Sequence, residues 1–139
     1  MAGKIKYLDH TGDVGLQISA ASLEELFVTA AQAMFQIICP RGKAAGIEKI
    51  SITVSGNNTE ELLVNWLSEL NFIFQTEGVL LGDVQKISFA KNALTALIAG
   101  EKINRQKHDI QMEIKAVTYH KLFVKRTKSG WRAQVIFDI

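Results

Sequence analysis

The sequence has very little cysteine or proline, with one of each among 139 residues. A lone Cys39 has no partner for an internal disulfide, which is typical of a protein in a reducing compartment. Cys39 follows a helical pattern and directly precedes Pro40. We therefore expect a small buried or capping residue there and no redox centre.

Long hydrophobic runs are missing as well. No apolar run approaches the roughly 18 residues of a membrane span, and residues 1–9 lack the apolar stretch of a secretory signal. We expect a cytoplasmic protein that does not enter a membrane.

Several catalytic signatures are also missing from the sequence. No Ser or Cys has the surroundings of a nucleophile, no Gly-rich phosphate loop occurs, and the His and Cys residues lack zinc-ligand spacing. We therefore expect no independent enzyme. A small hydrolase centred on His10, which has Thr11 and two Asp residues nearby, stays open as an alternative.

The residues that are present indicate one compact domain over 1–139, since 47% of them are apolar. Ser22 and Glu25 have the spacing of a capping box, and apolar residues then recur at helical spacing until Ile38. A second helix is predicted from Asn58 or Thr59 to about residue 75, with Gly78 ending it. We expect two of its aromatic residues, Trp66 and Phe72, to lie in the core.

Seven short strands are predicted from alternating or short apolar patterns. They cover 13–20, 47–55, 79–91, 93–103, 110–117, 121–126 and 131–137, with Tyr119-His120 as one of the turns. Helices and strands do not alternate regularly, which favours an α+β fold with two helices packed on largely antiparallel β-sheet. The order of the strands cannot be read from the sequence.

Charge is distributed unevenly along the chain. Residues 1–100 hold ten acids and seven Lys or Arg, whereas 101–139 hold four acids and nine Lys or Arg. The basic part could attract RNA or an acidic protein by electrostatics, but it could equally be the solvated side of a sheet. His108 lies in this basic part, and we expect it to be exposed.

The two ends of the chain carry acids with the same strand parity. Side chains alternate between the faces of a strand, so Asp13 points away from the apolar row that begins with Val14, and Asp138 points away from the row that ends with Phe137. If these strands are neighbours, Asp13, Asp138 and the carboxylate of Ile139 could bind a hard cation. An ordinary turn at residues 9–13 is the alternative, because Asp, Thr and Gly are turn formers.

Four separated motifs make the chain resemble the archease family from end to end. They are Tyr7-Leu8-Asp9-His10-Thr11-Gly12-Asp13-Val14-Gly15, Glu61-Leu62-Leu63-Val64-Asn65-Trp66-Leu67, Ile114-Lys115-Ala116-Val117-Thr118-Tyr119-His120 and Trp131-Arg132-Ala133-Gln134-Val135-Ile136-Phe137-Asp138-Ile139. Gly12 stands where the family usually has Ala, a change that removes no ligand.

The resemblance implies a protein cofactor and not an enzyme. Archeases assist the GTP-dependent RNA-splicing ligase of tRNA splicing and RNA repair by promoting its guanylylation and turnover. The resemblance also implies that a divalent cation, most readily calcium, binds Asp13, Asp138 and Ile139. Candidates for contact with the ligase are Lys115, His10 and His120. An RNA-binding or chaperone-like module that modulates a tRNA-processing enzyme remains the alternative.

Overall fold

Two antiparallel sheets and two helices build the fold, and each helix packs against strands of both sheets. The computed structural model describes residues 3–10, 12–40, 42 and 44–139, except for the side chains of residues 9 and 10. In chain order the elements are β1 Lys4–His10, β2 Asp13–Ala20, α1 Leu23–Ile38, β3 Glu48–Ser55, α2 Thr59–Glu77, β4 Val79–Ala90, β5 Ala93–Lys102, β6 Ala116–Thr127 and β7 Gly130–Asp138.

The strand order is β1-β2-β7-β6 in the first sheet and β3-β5-β4 in the second. All neighbouring strands are antiparallel. The predicted α+β class is therefore confirmed, and the fold adds what the sequence did not reveal. The last strand, β7, pairs with β2 in the middle of the first sheet and places Asp138 directly opposite Asp13.

Side-chain caps begin both helices as predicted. The Ser22 hydroxyl accepts a hydrogen bond from the Glu25 amide at 3.1 Å, and the Asn58 side chain accepts one from the Glu61 amide at 2.8 Å. Gly78 ends α2 with φ 67, a left-handed conformation that suits glycine. Neither helix in the described part of the chain is both long and apolar enough to cross a membrane.

Trp66 links the two helices in the centre of the core. Its side chain is completely buried, and its indole N–H donates to the carbonyl oxygen of Phe27 in α1 at 3.0 Å. Cys39 is buried, as predicted, and this burial raises the pKa of its thiol. A thiol with a raised pKa is a poor nucleophile, in agreement with a structural role.

The prediction that Phe72 is a core residue was wrong, since its side chain is 58% exposed. The buried residues of α2, such as Trp66 and Leu70, lie on one face of the helix. Phe72 lies on the solvent side, near Asn65 and Ser68. The apolar residues of α2 therefore cover more of the helix circumference than the face that packs against the core, and Phe72 lies outside that face.

The predicted strand at 110–117 was also wrong, because only its last two residues belong to a strand. The backbone of the preceding segment forms other hydrogen bonds. The amides of Gln111 and Met112 donate to the Ile38 carbonyl at the end of α1, at 2.8 and 3.3 Å. The Ile114 carbonyl accepts from the side chains of Asn71 and Gln75 in α2. An apolar segment with these partners needs no strand neighbour.

Two further differences concern β1 and β6. Strand β1 was not predicted, and it extends to His10, so the turn between the first two strands is shorter than residues 9–13. The predicted turn at Tyr119-His120 is a bulge inside β6. Four residues of β6 bulge opposite a single residue of β7, and Lys121 adopts φ 52.

His108 is buried, which corrects the expectation that it is exposed. Its Nδ1 accepts a hydrogen bond from the Asn104 amide at 3.0 Å, and its Nε2 lies 3.3 Å from Oε1 of Glu101. Glu101 also accepts from the Lys107 ammonium and the Ala45 amide, each at 2.8 Å. The bond from Lys107 is the main reason that the pKa of Glu101 is lowered from 4.5 to about 2.

We expect replacement of Glu101 by Gln to make stability less dependent on pH. A carboxylate whose pKa is lower in the folded state stabilises the fold above its unfolded pKa, and this contribution is lost as pH falls from 4.5 to about 2. Urea midpoints at neutral pH should therefore be lower for Glu101→Gln than for the wild type, and the difference should shrink near the lower end of that range. If the difference in urea midpoint between the variant and the wild type were the same at neutral pH and at the lower end of that range, the proposed charge interaction would be contradicted.

Candidate metal centre at the paired strand ends

Asp13 and Asp138 lie directly opposite each other at one end of the β2–β7 ladder. The next pair along the ladder is Val14 with Phe137, and both of these residues are buried. Opposite residues of an antiparallel pair point to the same face, with Cβ atoms about 4.5–5.5 Å apart. The two acids thus share the side of the sheet that faces away from the helices, which we call the outer face of the first sheet.

Two backbone hydrogen bonds place other segments beside this acid pair. The Ile139 amide donates to the carbonyl of Gly12 at 3.2 Å, and the Lys115 amide donates to the carbonyl of Asp138 at 2.8 Å. The side chain of Ile139 packs against the core. Residues 12–13, 115–116 and 138–139 therefore meet at one end of the sheet.

The electrostatics of the acid pair are unfavourable without a cation. Like charges directly opposite each other destabilise a sheet. In addition, Oδ1 of Asp13 is buried and has no hydrogen-bond partner among the described residues. An unpaired buried carboxylate oxygen is costly. A cation between the two acids would remove both costs.

The donor atoms fit a hard cation, provided that the end of the chain contributes. Within the described part of the chain, no three side chains of His, Cys, Asp or Glu form a metal-binding group. The side chains of Asp13 and Asp138 supply two carboxylates, and the carboxylate of Ile139 would be the third. Oxygen ligands of this kind are those that Ca²⁺ and Mg²⁺ prefer. Ligation by these three residues stays a prediction.

The candidate partner-contact residues are not all brought to this end. Lys115 is exposed and its backbone lies beside Asp138. His120 is exposed in the bulge of β6, the edge strand that begins next to Lys115. The backbone of His10 pairs with Asp13, but the side chain of His10 lies outside the described part of the structure.

A group of cations on the outer face was not predicted from the sequence. Lys4 and Lys6 of β1 join Lys125 of β6 and Arg132 of β7 on this face, at the end away from the acids. Counting charges along the chain separates Lys4 and Lys6 from the basic part at 101–139. The alternation of these two lysines with Ile5 and Tyr7 was the available signal.

The fold and the acid pair together define a class, a small two-sheet α+β protein whose second and last strands pair and carry carboxylates at their shared end. The description "Archease protein family (MTH1598/TM1083)" belongs to a family model that matches residues 6–139. The chain is therefore a member of the archease family.

Individual archeases are similar to this chain over nearly their whole length. The archease of Methanosarcina mazei is 36% identical over 140 residues, covering 98% of this chain and 96% of the relative. That of Pyrococcus furiosus is also 36% identical, covering 96% and 97%.

Two solved structures have the same fold. The solution structure of Methanobacterium thermoautotrophicum protein 1598 is 29% identical, with a TM-score of 0.79 and coverage of 97% of this chain and 98% of that one. The crystal structure of a Thermotoga maritima archease, described as a possible chaperone, is 23% identical, with a TM-score of 0.65 and coverage of 96% of each chain. The second likeness concerns the fold alone.

Proposed function

We propose that this protein activates a GTP-dependent RNA-splicing ligase by promoting the ligase's guanylylation and turnover in tRNA splicing and RNA repair. Membership of the archease family supports the association with an RNA-processing enzyme. The observation that carries the proposal is the Asp13–Asp138 pair next to an exposed lysine, with a buried carboxylate oxygen of Asp13 that has no hydrogen-bond partner among the described residues. A cytoplasmic location is part of the proposal.

A divalent cation, with calcium as the first candidate, would be held by Asp13, Asp138 and the Ile139 carboxylate. Since the donors come from both ends of the chain, their ligation would stabilise the contact between β2 and β7. The bound cation would supply positive charge that can neutralise carboxylates or nucleotide phosphates. The two Asp side chains share one face, so little rearrangement would be needed.

The chain's own residues would supply the surface that the ligase recognises. Lys115 is exposed beside Asp138, where its ammonium can contact an acidic surface or a phosphate. The exposed His120 in the β6 bulge, and His10 at the end of β1, are further contact candidates. On this proposal the ligase performs the nucleotidyl transfer, and this protein raises the fraction of ligase that is ready to react.

The proposal is tested with a purified ligase from the same source. We expect the protein to increase both the guanylylated fraction of the ligase and the number of RNA joining events per ligase. Serum albumin at the same concentration controls for general stabilisation of the ligase. No stimulation by a well-folded protein of a matched, active ligase would contradict the proposal.

A further inference from the structure

The outer face of the first sheet carries a row of cations at the end away from the acid pair. Lys4, Ser19, Arg132 and Lys125 occupy successive positions across the four strands, since each pairs with the next in the ladder. The adjacent row holds Lys6, Gln17, Gln134 and Phe123. Neither row contains an acid. We call these two rows the cationic end of the outer face.

Arg132 and Lys125 lie directly opposite each other, an arrangement that destabilises a sheet. Both side chains are exposed, and neither forms a salt bridge within the described part of the chain. Packing of the core does not involve these charges, because the core residues of the two strands, such as Val124, Ala133 and Val135, lie on the opposite face. A stability cost that packing does not explain is typical of a binding surface.

Side-chain hydrogen bonds link the strands that carry this surface. Gln17 donates to the Gln134 side chain at 2.7 Å, and Gln134 donates to the Lys121 carbonyl at 2.9 Å. These bonds connect β2, β7 and the bulge of β6. The cations are therefore presented on paired strands and not on loops.

Aromatic rings accompany the cations. The Lys125 ammonium lies 4.9 Å from the centre of the Phe123 ring. Lys4 and Arg132 also line a cavity of about 410 Å³ at the end of the sheet, together with Trp131 and Glu25. Oε1 of Glu25 is buried and has no hydrogen-bond partner in the described structure. This carboxylate would repel a phosphate but can accept hydrogen bonds from the amino group of a base.

We propose that the cationic end of the outer face binds single-stranded RNA, with phosphates on the lysine and arginine side chains and a base in the cavity beside Trp131. Cations that follow the backbone and rings on which bases stack are the two components of single-strand recognition. An acidic protein would match the charges but would not need the ring and the carboxylate in one cavity. RNA is therefore the occupant that the surface favours.

The test measures binding of a fluorescent oligocytidylate by anisotropy over a series of salt concentrations, with the full chain and no ligase. We expect the double variant Lys125→Gln/Arg132→Gln to bind roughly tenfold more weakly than the wild type. The salt slope should fall by about 1.4, because each of the two phosphates that is no longer neutralised accounts for about 0.7. The variant Lys4→Gln/Lys6→Gln, on a different strand, should weaken binding to a similar extent.

A matched control removes the same amount of charge elsewhere. Lys49 and Lys86 are exposed on the second sheet, so Lys49→Gln/Lys86→Gln should leave RNA binding within about twofold of the wild type. Equal weakening by this control would mean that net charge alone drives binding and would overturn the proposal. Unchanged binding in the two test variants would overturn it as well. Competition by polyglutamate as strong as that by unlabelled RNA would overturn it too, by assigning the surface to an acidic protein.

This inference stands apart from the proposed ligase activation, and the two can fail separately. Asp13→Asn lies at the other end of the outer face and should leave RNA binding unchanged. RNA binding without ligase stimulation would support the RNA-binding surface and contradict the activator proposal. Ligase stimulation without RNA binding would support the activator proposal and contradict the RNA-binding surface.

Discussion

Replacement of Asp138 by Asn should lower the affinity for calcium by at least about 10–100-fold, the loss usually seen when even an outer-shell partner of a metal is removed. The change removes one negative charge and leaves the size of the side chain almost unaltered. Asp13→Asn should have a similar effect, because its partly buried carboxylate faces the same space. Isothermal titration with calcium and with magnesium measures both affinities.

The matched control is Asp83→Asn, which removes an exposed acid from the second sheet and should leave calcium affinity unchanged. Urea unfolding without metal provides the second control. Since Asn removes the repulsion between opposite carboxylates, neither variant should be less stable than the wild type in the absence of metal. Loss of the fold in both variants would mean that the acids are structural, and unchanged calcium affinity would exclude them as ligands.

Replacement of Trp66 by Ala should destabilise the protein by about 3–5 kcal/mol, the usual cost of removing a large aromatic side chain from a core. The side chain is completely buried between the helices, and its indole N–H bonds to the Phe27 carbonyl. A loss of this size is a large part of the roughly 5–15 kcal/mol that stabilises a typical domain. Urea unfolding followed by far-ultraviolet circular dichroism measures the change without relying on tryptophan fluorescence.

Phe72→Ala is the control for this prediction, because Phe72 is an aromatic residue on the exposed side of the same helix. Its effect should stay within about 0.5 kcal/mol. Equal losses in the two variants would contradict the assignment of the core face of α2. Both residues were predicted to be buried, so the two variants also show how much stability a wrongly predicted core residue contributes compared with a real one.

Local chemistry allowed much of the fold to be predicted. Ser22 and Asn58 cap the helices through their own side chains, and Gly78 ends α2 because it tolerates a left-handed backbone. The parity of β2 and β7 placed Asp13 and Asp138 on the polar sides of their strands. These signals are carried by residues close together in the sequence, which is why they can be read without the fold.

Features that depend on distant residues could not be predicted. The segment before Lys115 has the apolar pattern of a strand, but its hydrogen-bond partners are the end of α1 and side chains of α2. The order of strands, and with it the meeting of Asp13 and Asp138, is likewise a property of tertiary pairing.

The cationic end of the outer face illustrates the same limit. A count along the chain concentrated positive charge after residue 100, whereas the fold takes Lys4 and Lys6 from the first strand and joins them to Lys125 and Arg132. Other basic residues, such as Lys107, interact with Glu101 away from this face. Charge asymmetry in a sequence therefore indicates that a basic surface exists but does not locate it.

The most direct test of the central proposal compares ligase stimulation by the wild type with that by a chain extended by one glycine after Ile139. The extension changes no side chain and moves only the terminal carboxylate. We expect calcium affinity and stimulation of guanylylation and RNA joining to fall together, with Asp138→Asn showing the same paired loss. If the extended chain and the Asp138→Asn variant both stimulated the ligase fully and bound calcium as tightly as the wild type, activation through a cation at the paired strand ends would be contradicted.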